Sequence, residues 1–218
     1  MQLNTVIFDM DGLLIDSEPL WDEAATEIFK RYDFQLSKAQ YATTTGMRTK
    51  EFVSWWFRHY KIDDRHLAEA ESAILQNVVD KVAARGKAMP GVAHILNFFI
   101  ERNFKIGLAT SSGKPLIDVV VDKLGIRNYL QAIESAADLP YGKPHPQVYL
   151  NCAEALNSHP TECICFEDSF NGLIAAKAAR MKCVVVPAAH DSKNEKFNAA
   201  DLKISSLINF NSLLMQTL

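Results

Sequence analysis

From Lys105 to Val186 short apolar runs alternate with helix-forming segments, and this alternation narrows the fold more than any other feature of the chain. The apolar runs are Lys105–Ala109, Ala132–Glu134, Glu162–Phe166 and Cys183–Val186. Between them lie Pro115–Leu124, Pro146–Leu156 and Asn171–Ala179, with another helical stretch, Val92–Glu101, ahead of the first. Strands that alternate with helices build βαβ units and a parallel sheet. An earlier run, Thr5-Val6-Ile7-Phe8, has the same β-branched and aromatic character and ends in turn chemistry at Gly12. The expected class is α/β, a doubly wound, Rossmann-like parallel sheet.

The segment after that first strand has a different period. Ser17 followed by Pro19 predicts a helix start with Ser17 as N-cap and Asp16 beside it, the helix running from Pro19 to Lys30. Phe52, Trp55, Trp56 and His59 fall on one helical face, and Leu67, Ala70, Ile74, Val78 and Val82 on another. Trp55, Trp56 and Phe57 are expected to pack the inside of this helical unit. The pattern breaks at Arg85-Gly86-Lys87-Ala88-Met89-Pro90-Gly91. The expected organisation is a helical cap over 16–86 inserted into an α/β core made of 1–15 and 87–218.

Composition excludes several function classes. Lys plus Arg number 23 against 26 Asp plus Glu, a formal net charge of -3, which gives no footprint for nucleic acid or an anionic membrane. No apolar run approaches the roughly 20 residues of a membrane-spanning helix. Met1-Gln2-Leu3-Asn4 has no basic leader pattern. The four cysteines, Cys152, Cys163, Cys165 and Cys183, lie in or beside apolar runs without zinc-finger spacing, so buried reduced thiols and a cytoplasmic location are expected. A monomer is the default expectation.

Polar groups gather at the carboxyl ends of the expected strands, where ligands bind in open parallel sheets. Asp9 and Asp11 close the first strand, Thr110-Ser111-Ser112-Gly113 the next, and Glu167-Asp168-Ser169 a third. Lys143 lies in the loop Gly142-Lys143-Pro144-His145-Pro146, where His145 is expected to shape the loop. Asp9 and Asp11 share one side of an extended chain. Carboxylates so crowded repel unless a cation holds them, and oxygen-only ligands favour a hard ion such as Mg²⁺. A lysine, a hydroxyl and a turn rich in N–H groups suit a dianionic phosphoryl group. One Asp is then placed to attack phosphorus, and its neighbour to move protons. Arg48, after the turn Thr43-Thr44-Thr45-Gly46, is a further candidate for substrate contact.

Phe8-Asp9-Met10-Asp11-Gly12, Thr110, Lys143 and Glu167-Asp168 resemble, in order, the four signature motifs of the haloacid dehalogenase-like hydrolases. The likeness spans nearly the whole expected core, and the helical insert is similar to that superfamily's cap. Phe8–Ala24, Leu139–Leu150 and Ala175–Ala188 are similar to the bacterial sugar and hexitol phosphate phosphatases. The resemblance implies Asp9 as nucleophile, Asp11 as general acid/base, and Thr110 on the phosphoryl oxygens with N–H groups near Asp11 and Ser111. It implies Lys143 neutralising nucleophile and phosphate. Asp168 would hold Mg²⁺ with Asp9 and the Asp11 carbonyl, Glu167 being a ligand or a water-bridged neighbour. The implied substrate is a small phosphorylated sugar or polyol, such as 2-deoxyglucose 6-phosphate or a hexitol phosphate.

Three alternatives stand beside it. Phosphoglucomutases of the same superfamily look similar but have a His where this chain has Trp21, and dehalogenase relatives lack an acid at the position of Asp11. A phospho-receiver or silent binding protein is the non-enzymatic reading. Receivers are shorter and have no helical insert, and a silent relative would be missing one of Asp9, Asp11, Lys143 or Asp168.

Overall fold

The computed structural model describes residues 2–218; Met1 lies outside the described residues. The core is a six-stranded sheet. β1 (Thr5–Phe8), β2 (Lys105–Thr110), β3 (Ala132–Ser135), β4 (Cys163–Glu167), β5 (Lys182–Val185) and β6 (Leu202–Lys203) stand in the order β3-β2-β1-β4-β5-β6. Every neighbouring pair is parallel. β1 is fully buried at the centre, which is why it reads as an unbroken apolar run. Its last residue, Phe8, is in register with Leu108 on one side and Phe166 on the other. The residues just beyond, on β1, β2 and β4, therefore share one rim.

Side-chain alternation divides the interior into two layers. Val6, Phe8, Ile164 and Phe166 face α5 (Val92–Ile100) and α6 (Lys114–Leu124), where the rings of Phe8, Phe99, Phe166 and Phe210 pack together. Ile7, Ala109, Cys163, Cys165 and Cys183 face the other way, toward α7 (Gln147–Ala155) and α8 (Phe170–Ala178). All four cysteines are free and buried in that second layer, and burial, then Glu162, pushes the Cys163 thiol up to about 12. They are packing groups.

The insert is helical throughout: α1 (Glu18–Phe29), α2 (Lys38–Ala42), α3 (Thr49–Tyr60) and α4 (Leu67–Arg85). Its interior is aromatic, with Phe29 stacked on Phe34 at 4.5 Å and Phe34 on Tyr60 at 4.3 Å. Ala70, Ile74, Val78 and Val82 bury the expected face of α4. On α3 the buried face is Phe52, Val53, Trp56 and Phe57, whereas Trp55, expected to pack inside, is 58% exposed. A quarter-turn of helix separates the two faces. The chain enters and leaves this unit through paired segments: Asp16 N–H donates to the Lys87 carbonyl (2.9 Å) and Met89 N–H to the Leu14 carbonyl (3.0 Å).

Past β5 the regular structure is short, ending in β6 and α9 (Ser212–Met215), neither of which the sequence pattern marks. None of the helices among the described residues is long and apolar enough to cross a membrane.

The close seat of α7 on β2 depends on Gly107, where a Cβ would lie 2.6 Å from the Cys152 Sγ and 2.9 Å from Leu156 Cδ1. Gly107→Ala should therefore cost about 1–3 kcal/mol by overpacking, at roughly 2–4 °C of Tm per kcal/mol in a chain of this size. Cys152→Ala in the same chain should return part of that loss. A single variant that melts at or above the wild-type temperature would show that the seat is not tight.

Candidate active site

Lys143 is the centre of the rim. Its side chain is buried, and Nζ donates to Asp9 Oδ1 (2.5 Å), Glu167 Oε1 (2.6 Å) and the Ala109 carbonyl (3.0 Å). All three ammonium protons are thereby used, on groups from the ends of β1, β4 and β2. Burial alone disfavours the charge, but Asp9 and Glu167 outweigh it and raise the Lys143 pKa. Asp9 is held well above the usual carboxylate range, first by burial, with Lys143 opposing and Glu167 and Asp11 adding to the rise. Its Oδ2 has no hydrogen bond among the described residues, so one oxygen is anchored and the other open.

Asp11 is oriented by three donors. Ser17 Oγ (2.6 Å) and Trp21 Nε1 (3.0 Å) reach Oδ1, and Ser112 Oγ (2.7 Å) reaches Oδ2. Ser17 does stand at the N-cap of α1, but in a helical backbone conformation and without a capping bond. The usual N-cap is extended, which aims its oxygen at the helix N–H groups; here the hydroxyl turns to Asp11 instead.

Thr110 Oγ1 accepts the Ser112 N–H (3.0 Å), leaving its own O–H to donate into the cavity. Ser111 also lines the cavity, but its hydroxyl bonds the Gly46 carbonyl of the cap (3.0 Å), so only its backbone remains for a phosphoryl group.

Carboxylate oxygens of Asp9, Glu167 and Asp168 lie within 4.8 Å of one another, an oxygen-only set that fits a hard divalent ion. Asp168 is raised well above the usual carboxylate range by burial, then by Asp9 and Glu167. Gly12 makes room for it: Gly12 has φ of +75° and a Cβ there would fall 2.1 Å from Asp168 Oδ2. Glu167 differs from the other two because both its oxygens are already occupied. Oε1 accepts from Lys143 and from the Tyr149 hydroxyl (2.5 Å); Oε2 accepts from the N–H groups of Asp168 (3.1 Å) and Ser169 (3.2 Å) and from Ser169 Oγ (3.1 Å). It holds Lys143 and the Asp168 turn in place, which leaves Asp9 and Asp168 as the oxygens free for an ion.

The cap closes this site. Ser111 bonds Gly46, Asn171 Nδ2 donates to the Thr45 carbonyl (3.1 Å), and Trp56 Nε1 braces the same turn through Thr44 Oγ1 (3.1 Å). The enclosed cavity has a volume of about 60 Å³. Glu18 is half-buried in its wall, and burial, then Asp11, Asp22 and Asp16, pushes its carboxyl up to about 8.

Arg48 does not face this cavity. Its guanidinium bonds the Ala136 and Leu139 carbonyls and Glu51, and lies in a larger, open groove of about 1170 Å³ beyond Met47. That groove contains neither Asp9 nor Asp11. Paired with Glu51 and donating to two core carbonyls, the guanidinium fastens cap to core here. His145 lies against Tyr141 at 5.2 Å and accepts the Gln147 N–H (3.3 Å), as a loop-shaping residue does.

Tyr149, Ser112 and the contact of Trp21 with Asp11 are not legible in the motifs. The signal present for Tyr149 is its place near the Lys143 loop, on the buried face of α7.

Residues 3–180 match the family description "haloacid dehalogenase-like hydrolase". Hexitol phosphatase B of Escherichia coli (strain K12) is 38% identical over 207 residues, 94% of this chain and 93% of that protein. The structure of CbbY from Rhodobacter sphaeroides, in complex with phosphate, superposes with a TM-score of 0.86 at 25% identity, covering 95% of this chain and 96% of that one. A β-phosphoglucomutase from Clostridium difficile shares the fold with a TM-score of 0.87 at 23% identity, over 99% of this chain and 96% of its own. Together with the rim of Asp9, Asp11, Thr110, Lys143 and Asp168, these likenesses establish that the chain belongs to the haloacid dehalogenase-like hydrolase family and is a phosphatase enzyme within it.

Proposed function

We propose that the protein is a Mg²⁺-dependent phosphatase of small sugar or polyol phosphates, working through an aspartyl-phosphate on Asp9. The observation that carries this reading is the division of labour at Asp9. Lys143 fixes Oδ1 and leaves Oδ2 open, beside an acid two residues away that is oriented by its own three donors. The similarity to a hexitol phosphatase supports the substrate class.

In this scheme Asp9 Oδ2 attacks phosphorus and the P–O bond to the substrate alkoxide breaks. Asp11 gives its proton to that alkoxide, which leaves as the free alcohol. Water then attacks the aspartyl-phosphate while Asp11 takes up its proton, releasing inorganic phosphate and restoring Asp9. The Thr110 hydroxyl and the neighbouring N–H groups orient the phosphoryl oxygens, and Lys143 offsets the charge of the Asp9 carboxylate and, as the acyl phosphate forms, that of the phosphoryl group. Asp9 and Asp168, with the Asp11 carbonyl, would hold Mg²⁺, which when bound offsets the charge of the phosphoryl oxygens. The turn Thr44–Gly46 of the cap is bonded across this cavity, so the cap opens for the substrate chain to enter.

Asp9→Asn should abolish phosphate release from hexitol and hexose phosphates in Mg²⁺, a loss of at least about a thousandfold for a missing nucleophile. Quenched wild-type turnover should carry phosphate on the peptide containing Asp9. Isomerised hexose phosphate with little free phosphate would favour the mutase instead, and phosphate that persists on the chain without turnover would favour a receiver.

Metal binding has its own readout in thermal stability. In metal-free buffer Asp168→Asn should raise Tm, because it removes a carboxylate that burial and Asp9 hold far from its favoured charged state. About 1 kcal/mol of relief corresponds to roughly 2–4 °C. Mg²⁺ should raise the wild-type Tm and leave the variant's where it was. Equal Mg²⁺ shifts in both proteins would remove Asp168 from the metal site.

A further inference from the structure

Two side chains in the cavity wall have no part in the scheme above. Glu18 opens α1 and Tyr41 lies in α2; both line the cavity together with Asp9, Asp11 and Asp168. Neither the Glu18 carboxylate nor the Tyr41 hydroxyl has a hydrogen-bond partner among the described residues, and both residues are half-buried in the cavity wall. Folding does not ask for Glu18 there. Its nearest charged neighbours, Asp11, Asp22 and Asp16, all repel it.

Placement ties the pair to the reacting centre. A Cβ at Gly12 would lie 3.4 Å from Glu18 Cγ and 2.1 Å from Asp168 Oδ2, so Glu18 and Asp168 both crowd that glycine. Glu18 and Trp21 are three residues apart and share one face of α1, the face that holds Asp11. The Tyr41 ring packs edge-on to the buried Phe52 at 5.6 Å. Neither group offers a positive charge to a phosphoryl dianion, so this part of the wall is not built for phosphate. A carboxyl and a phenol, both unpaired, match alcohol groups, which donate and accept at once.

We propose that Glu18 and Tyr41 form a hydroxyl-binding subsite that takes the alcohol groups of the sugar or polyol chain beside the phosphate ester. The proposal rests on the phosphatase reading above and adds the residues that recognise the non-reacting part of the substrate. Binding energy gained there distinguishes a polyol ester from a plain alkyl ester.

Two probes separate these terms: glucitol 6-phosphate, and hexyl phosphate, which has the same carbon chain without hydroxyl groups. Wild-type protein should favour the glucitol ester in kcat/KM. Glu18→Leu and Tyr41→Phe should each lose roughly tenfold on it, about the worth of one hydrogen bond to a buried group, mainly through KM and with a much smaller loss on hexyl phosphate. Glu18→Leu relieves a repulsion, so its melting temperature should be no lower than wild type, which keeps the kinetic result interpretable. Equal losses on both esters, with a higher Mg²⁺ requirement, would overturn the subsite and place Glu18 in the metal's surroundings. No wild-type preference between the two esters would overturn it as well, with the phosphatase reading intact. Phosphate release from neither ester would instead remove the phosphatase reading on which it rests.

Discussion

A buried ammonium between two carboxylates is the constraint on which the rest of the site depends. Lys143 comes from a loop, Asp9 from the end of β1 and Glu167 from the end of β4, while the Ala109 carbonyl belongs to β2. One charge thus ties together the carboxyl ends of three adjacent strands. Burying such a network is costly in solvation, and removing one member typically destabilises by about 3–5 kcal/mol because the others are left unpaired. The network is better understood as fixing geometry than as adding stability. It leaves Asp9 with one oxygen anchored and one oxygen open, the arrangement a nucleophile needs.

The second tier of contacts explains why the motifs sit still. Glu167 is locked by Tyr149 and by the turn at Ser169, so it presents Lys143 at a fixed height above the sheet. Asp11 is gripped by Ser17 and Trp21 from the cap side and by Ser112 from the core. The hydrogen bonds of Asp11 therefore span the boundary between the two units. In the proposed reaction, opening of the cap would alter these hydrogen bonds and so link access for substrate to the readiness of Asp11. The two segments that join cap and core are paired beside each other at Leu14–Asp16 and Lys87–Met89.

Much of this was legible in the chain. The strands at Thr5–Phe8, Lys105–Thr110 and Cys163–Glu167 were marked by unbroken apolar runs because a central parallel strand is buried on both faces. Asp9, Asp11 and Asp168 were marked because charges at the ends of such runs have no folding purpose, and Lys143 by its place in the loop Gly142–Pro146 beside them. Other features were not. β6 has only Leu202 and Lys203, too short for any period to show. Trp55 obeyed the same helical spacing as Trp56 but lies one step off the buried face. Arg48 satisfied the general expectation of a cation near a cap turn, yet it was captured by Glu51 and by the carbonyls of Ala136 and Leu139.

By itself the sequence determined the doubly wound class, the interruption after β1 and the residues that meet at the rim, since strand periodicity and uncompensated charge are local properties of a chain. Only the tertiary structure decided which oxygen of Asp9 stays open, that Glu167 serves Lys143 before any ion, that Ser17 orients Asp11 instead of capping α1, and that Glu18 and Tyr41 face the cavity without partners. Those outcomes depend on pairings between residues far apart in the chain. The short range of hydrogen bonds selects among such pairings only once packing has fixed the distances.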